Sequence, residues 1–207
     1  MSNLQALHDF YLTTRPNSGK VQYASKFLIR LCKYFNLDTP EDITIQYFEE
    51  LPAAIDSYYQ NDFHKAIQDK SILAEMIGRH GPTEGWEKTL EKLLNDPDEN
   101  LRQFSFQSLE YVAPNNPELI LGYIARYKDS DDMIMTVVAA RIMSKMYTPE
   151  NREMLEEVIQ KWAKDGSDEF LKELKKNIQK CIRRNEQFTK DPGHQKYYDK
   201  LADLVEQ

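Results

Sequence analysis

Met133-Ile134-Met135-Thr136-Val137-Val138-Ala139-Ala140-Arg141-Ile142-Met143 contains a single charged residue, Arg141, and no strict alternation of apolar and polar side chains. A run that is apolar nearly all round reads as a helix buried on most of its circumference. Such a helix needs neighbours on both sides, so this stretch decides the fold. It follows an acidic turn, Asp129-Ser130-Asp131-Asp132, and a helix marked by Leu119, Ile120, Tyr123, Ile124 and Tyr127. The same order recurs on either side. Upstream, Trp86, Leu90, Leu93 and Leu94 precede Asp96-Pro97-Asp98-Glu99-Asn100, and then come Leu101, Phe104, Leu109 and Val112. Downstream, Met154, Leu155, Val158, Ile159 and Trp162 precede Asp165-Gly166-Ser167-Asp168, and then come Leu171, Leu174, Ile178, Cys181 and Ile182. The turns begin at Asp96, Asp129 and Asp165, spacings of 33 and 36 residues.

Each unit is therefore a helix, an acidic turn and a second helix. One such unit cannot bury both of its apolar faces, and stacking makes a continuous core, for which about three units suffice. Met133–Met143 should be the most buried element, held between the first and third units. A terminal segment with Tyr198, Leu201, Leu204 and Val205 is expected to cap the stack.

Before Pro82 the pattern is helical but not repetitive. Leu4, Leu7, Tyr11 and Leu12 mark a helix that stops ahead of Arg15-Pro16, because the residue before proline is pushed out of the α region. Ala24, Leu28, Leu31, Cys32 and Phe35 form the apolar stripe of another, whose opposite side carries Tyr23, Lys26, Arg30 and Lys33. Thr39-Pro40-Glu41-Asp42 reads as a helix start. Pro52 predicts a kink or break near Leu51. The cluster Gly78-Arg79-His80-Gly81-Pro82 is taken as the boundary between an N-terminal helical domain, 1–81, and a repeat domain, 82–207.

Composition limits the function classes. Charged residues make up 29% of the 207, the net charge is -7, and glycine and proline are few at 7 and 9, the profile of a charged-surface helical protein. No apolar run reaches the roughly 20 residues that span a bilayer, and Met1-Ser2-Asn3-Leu4 does not begin a basic-then-apolar leader. A cytoplasmic protein without a membrane partner is expected. Cys32 and Cys181 lie in separate helical patterns and read as small buried hydrophobes. The negative total argues against a surface uniformly suited to nucleic acid. Its distribution is uneven: residues 1–36 carry five bases against Asp9, and residues 37–62 carry seven acids and no base.

Residues 82–184 resemble the HEAT-repeat family, in which a turn aspartate is followed by an apolar residue and then a basic one at the start of the second helix. Asp96-Pro97-Asp98-Glu99-Asn100-Leu101-Arg102, continued by Leu109, carries that likeness; the later units place Met135 and Leu171 where the base would stand. The resemblance implies an all-α chain in which an N-terminal helical bundle precedes three helix pairs forming a short right-handed α-solenoid. Asp96 and Arg102 would then be structural. Arg141, in its apolar surroundings, is expected to pair with Asp96 or Asp98 as a strut between repeats, since an unpaired buried guanidinium is costly.

Phe10-Tyr11-Leu12, Thr14-Arg15-Pro16, Ser18, the helix from Tyr23 to Phe35 and Thr39-Pro40-Glu41-Asp42-Ile43-Thr44 are similar to the SAM-like core-binding domain of phage integrases and tyrosine recombinases. That likeness implies DNA contacts from Lys20, Lys26, Arg30 and Lys33. The remaining residues do not accommodate the family's catalytic domain.

Catalytic and metal chemistry finds little support in the spacing. His8, His64, His80 and His194 are isolated, no Cys-x-x-Cys or His-x-x-x-His occurs, and Asp129, Asp131 and Asp132 lack the glycine and glutamate of a calcium loop. The turn acids read instead as helix-start charges that favour exposed N–H groups. HEAT-like DNA glycosylases line a groove with Trp, Asp and Arg, which singles out Trp86, Trp162 and Arg141, although both tryptophans stand at core positions. Lys172, Lys176, Lys180 and Arg183 form a further basic stripe, most simply a solvated face. The leading expectation is a non-catalytic module without a cofactor or metal, binding a protein partner on the concave face of the solenoid. The alternative is a DNA-binding protein of phage or mobile-element type, and a weaker one is a glycosylase. The sequence leaves the oligomeric state open.

Overall fold

The computed structural model describes residues 29–30, 32–38, 45–80, 86–148 and 150–184, with isolated positions beyond. The first expected helix, Lys20, Lys26, Thr39 to Thr44, Gly81-Pro82 and the capping residues Tyr198, Leu201, Leu204 and Val205 lie outside the described residues. Within them the chain is helical and contains no strand. Residues 29–30 and 32–35 are helical; then follow α1 (Ile45–Tyr59), α2 (Phe63–His80), α3 (Trp86–Leu94), α4 (Glu99–Ser108), α5 (Pro117–Tyr127), α6 (Met133–Met146), α7 (Arg152–Lys164) and α8 (Asp168–Arg184). They belong to two compact units, one ending at Tyr111 and the other beginning at Val112.

In the first unit α1 packs on α2 and α3, and α2 packs on α3 and α4. First helix thus lies on first helix and second on second. α1 runs through Pro52 rather than breaking at Leu51. Leu51 and Ile55 are completely buried on either side of the proline, and that packing outweighs the backbone hydrogen bond proline removes. The divide expected at 81/82 is likewise not where the compact units part. The Trp86 indole N–H donates to the Ile77 carbonyl at 2.8 Å. Gly78 meets α4 so closely that an added Cβ would stand 2.5 Å from the Ser108 carbonyl oxygen. α2 and α3 therefore belong to one core.

In the second unit α6 packs on α5 and on α8. Its residues from Met135 to Met146 include nine that are buried, as an all-apolar helix requires, but the first two are not: Met133 is 51% and Ile134 39% exposed. α7 and α8 are joined through Gly166, whose φ of +83° lies in the left-handed region that favours glycine. The rings of Trp162 and Phe170 meet edge to face at 5.4 Å across that turn. Trp86 and Trp162 both occupy core positions, at 0% and 7% exposure, and Cys32 is buried as well.

Two of the acidic turns act as helix caps. Asp98 accepts the Leu101 N–H at 2.8 Å and Asp132 accepts the Ile134 N–H at 3.0 Å, each satisfying an amide with no partner inside its helix. One exposed glycine, Gly122 in α5, has open space where a Cβ would project. Gly122→Ala should therefore raise stability by about 1 kcal/mol through helix propensity, read as a higher urea midpoint with an unchanged slope.

Candidate functional site

Ala66, Asp69, Lys70, Leu73, Ala74 and Ile77 recur at three- and four-residue intervals along α2 and are all buried. Two charged side chains thus lie on the inward face, and each is fully engaged. Asp69 accepts two hydrogen bonds from the Arg30 guanidinium, at 2.7 Å from Nε and 2.5 Å from Nη2. It also accepts the hydroxyls of Tyr34 and of Tyr59, the latter at 2.9 Å. The ring of Tyr58 stands edge-on to those of Tyr34 at 4.7 Å and Tyr59 at 5.1 Å. Lys70 bridges Asp56 of α1 at 2.8 Å and Asp96 of the α3–α4 turn at 2.5 Å.

Burial raises the Tyr34 hydroxyl far above its ordinary range, with its bond to Asp69 adding to the shift. Tyr59 is raised mainly by burial. Burial opposes the charge of Arg30 and of Lys70, yet their carboxylate partners prevail and both are raised. All four groups hold their protons more tightly in the fold than in the unfolded chain. Their contribution is complete below the ordinary tyrosine and lysine values of 10.0 and 10.5 and is lost as pH rises through them. Urea midpoints should fall above pH 10.0, and Tyr34→Phe should flatten that fall by removing one titrating group. An unchanged alkaline slope in the variant would contradict the assignment.

Above this cluster the chain turns from α1 into α2. Gln60 adopts a left-handed φ of +48°, and Asp62 accepts the Lys65 and Ala66 N–H groups, through its carboxylate and its carbonyl, to start α2. Tyr59 to His64 line an open depression here. Phe63 is 71% exposed and Tyr58 44%.

The second unit contains a related device. Lys128, buried at the end of α5, donates to Asp129 and, at 2.6 Å, to the Ser167 hydroxyl of the α7–α8 turn. Its ammonium stands 5.5 Å from the centre of the Trp162 ring. In each unit a buried lysine ties one helix pair to the turn of the next.

The residues singled out from the sequence are distributed as follows. Arg30 is directed into the Asp69 cluster, whereas Lys33 is exposed, so the two do not present one phosphate-binding face. Asp96 accepts from Lys70 and from the Asp98 N–H, and Arg102 donates to the carbonyls of Asp96 and Pro97 at 2.8 and 3.0 Å. Arg102 therefore closes its own turn. Arg141 is half-buried in α6. The carboxylates expected to receive it are engaged in the first unit, Asp96 by Lys70 and Asp98 by the α4 cap. Lys172, Lys176, Lys180 and Arg183 are exposed, with Lys172 and Lys176 paired to Glu169 and Glu173 one turn away.

Among the described residues no group of three His, Cys, Asp or Glu side chains converges as metal ligands would, and no helix is long and apolar enough to cross a membrane. No known protein family, curated protein or solved structure matches the chain.

Proposed function

We propose that the chain is a non-catalytic interaction module that binds a protein partner, with its helix pairs stacked as a short HEAT-like α-solenoid and its second helices forming the concave binding face. The observation that carries this reading is exposure of apolar side chains where second helices begin. Phe63 heads α2, and Met133 and Ile134 head α6, at 71%, 51% and 39% exposure. Single exposed hydrophobes are ordinary, but the same position on two second helices is a pattern, and aromatic and methionine side chains are enriched at interface cores. The packing of α1 on α3, α2 on α4 and α6 on α8 supports a stack of helix pairs.

The alternative, DNA binding through the basic N-terminal face, loses one of its four side chains to Asp69 and retains Lys33 at the surface. The glycosylase reading loses its tryptophans, since Trp86 and Trp162 are buried. Affinity capture from the source cells with and without nuclease separates the two classes of ligand. A protein partner retained after nuclease, and lost with Phe63→Asp combined with Met133→Asp, is the expected result. Capture that disappears with nuclease, or duplex binding that weakens steeply with salt and is lost with Lys33→Glu, would establish the DNA reading instead.

A further inference from the structure

Resting on the protein-binding reading, we infer that the uncovered face of α6, with the basic half of α8 beside it, docks an acidic partner segment. Apolar side chains of that segment cover Met133, Ile134 and Val137, and its carboxylates meet Lys145, Lys180 and Arg183. The first observation is the face itself. Met133, Ile134, Val137, Arg141 and Lys145 are the residues of α6 that are not buried. From Ile134 onward they recur at three- and four-residue steps, which sets them on one side of the helix, with Met133 at its head. That side is apolar through Val137 and basic beyond it, and α6 carries no acid.

The second observation is what lies alongside. Lys128, at the end of α5, donates to the hydroxyl of Ser167, which immediately precedes α8. α6 and α8 therefore begin at the same end and, packed on one another, run side by side in the same direction. The basic end of α6 thus stands beside the basic half of α8, where residues 174–184 hold five bases and no acid. Lys176 is paired back to Glu173, and Lys180 and Arg183 beyond it are exposed.

The third observation fixes polarity. Asp131 precedes the head of α6, and Asp168 and Glu169 stand at the head of α8, all exposed. Carboxylates are repelled from the apolar end and attracted to the far one, so the charges select a segment that is apolar at one end and acidic at the other. Nucleic acid would bring phosphates to the apolar, acid-flanked end as well and leave Met133 and Ile134 uncovered.

The test uses the full chain and two dye-labelled peptides with leucines in one half and either glutamates or lysines in the other, read by fluorescence anisotropy. The glutamate peptide is expected to bind at least about tenfold more tightly, against the net charge of -7, which on its own favours the lysine peptide. Lys180→Glu combined with Arg183→Glu should weaken its binding about tenfold, because two attractions become repulsions. Met133→Ser should weaken it about fivefold, the scale of covering a half-exposed methionine. All three residues are exposed, so thermal melts of the variants should match the parent. Equal or tighter binding of the lysine peptide, or no loss with the charge reversal, would overturn the proposal. No loss with Met133→Ser would reduce the contact to charge alone and overturn it too, as would a duplex oligonucleotide or anionic phospholipid vesicles bound as tightly as the glutamate peptide. The broader reading is scored separately, by whether partner capture survives nuclease. Capture that survives while the charge reversal leaves peptide binding intact keeps the module and removes this face as its docking site.

Discussion

Gly78→Ala should lower the stability of the first unit by about 3 kcal/mol or more, at the upper end of overpacking costs. The methyl group would stand 2.5 Å from the Ser108 carbonyl oxygen, 2.5 Å from its hydroxyl and 2.7 Å from its Cβ. A flexible side chain could move aside, but a carbonyl inside α4 moves only with its helix. The same substitution at Gly122 has the opposite sign, because nothing lies within reach there. Urea unfolding of the two variants side by side therefore separates close helix approach from helix propensity. Ser108→Gly in the Gly78→Ala background should recover part of the loss, since it removes the side-chain contacts and leaves the carbonyl. Equal stabilisation by both glycine substitutions would show that α2 and α4 do not approach as described.

Asp69→Ala should cost about 3 kcal/mol or more, as expected when one partner of a buried ion pair is removed. It leaves the Arg30 guanidinium and the hydroxyls of Tyr34 and Tyr59 without their common acceptor in a site where Asp69 is 2% exposed. Arg30→Met should cost less, because two hydroxyls still hold the carboxylate. The double variant Asp69→Ala with Arg30→Met should be more stable than Asp69→Ala alone, since both charges leave together. Additive losses in that cycle would indicate that the two groups do not interact.

Much of the helical architecture is legible before any coordinates. The period of Trp86, Leu90, Leu93 and Leu94 returns as a fully buried stripe, and the acids at Asp98 and Asp132 return as caps, because local hydrogen-bonding needs are written in local sequence. What the sequence hides is decided by tertiary contact. Pro52 signals a kink or a break locally, and the helix is unbroken there, with Leu51 and Ile55 buried on either side. The turn after His80 looks like a domain boundary, and only the approach of Gly78 to Ser108 reveals a shared core. Arg30 shares a helical face with Lys33 in spacing alone; the aspartate that claims it lies 39 residues away. One signal does stand in the sequence. Asp69 and Lys70 fall between Ala66 and Leu73 on the apolar face of α2, and charges at such positions mark a buried ionic cluster. The exposed corner at Phe63 had no such signal, because a phenylalanine that heads a helix reads like any other core residue.

Hydrogen exchange of the chain alone and with its nuclease-resistant partner bound tests the account most directly. Slowed exchange at the heads of the second helices, across 58–66 or 131–137, is the predicted result. Protection confined to the basic segment before Asn36, with those heads unchanged, would contradict it.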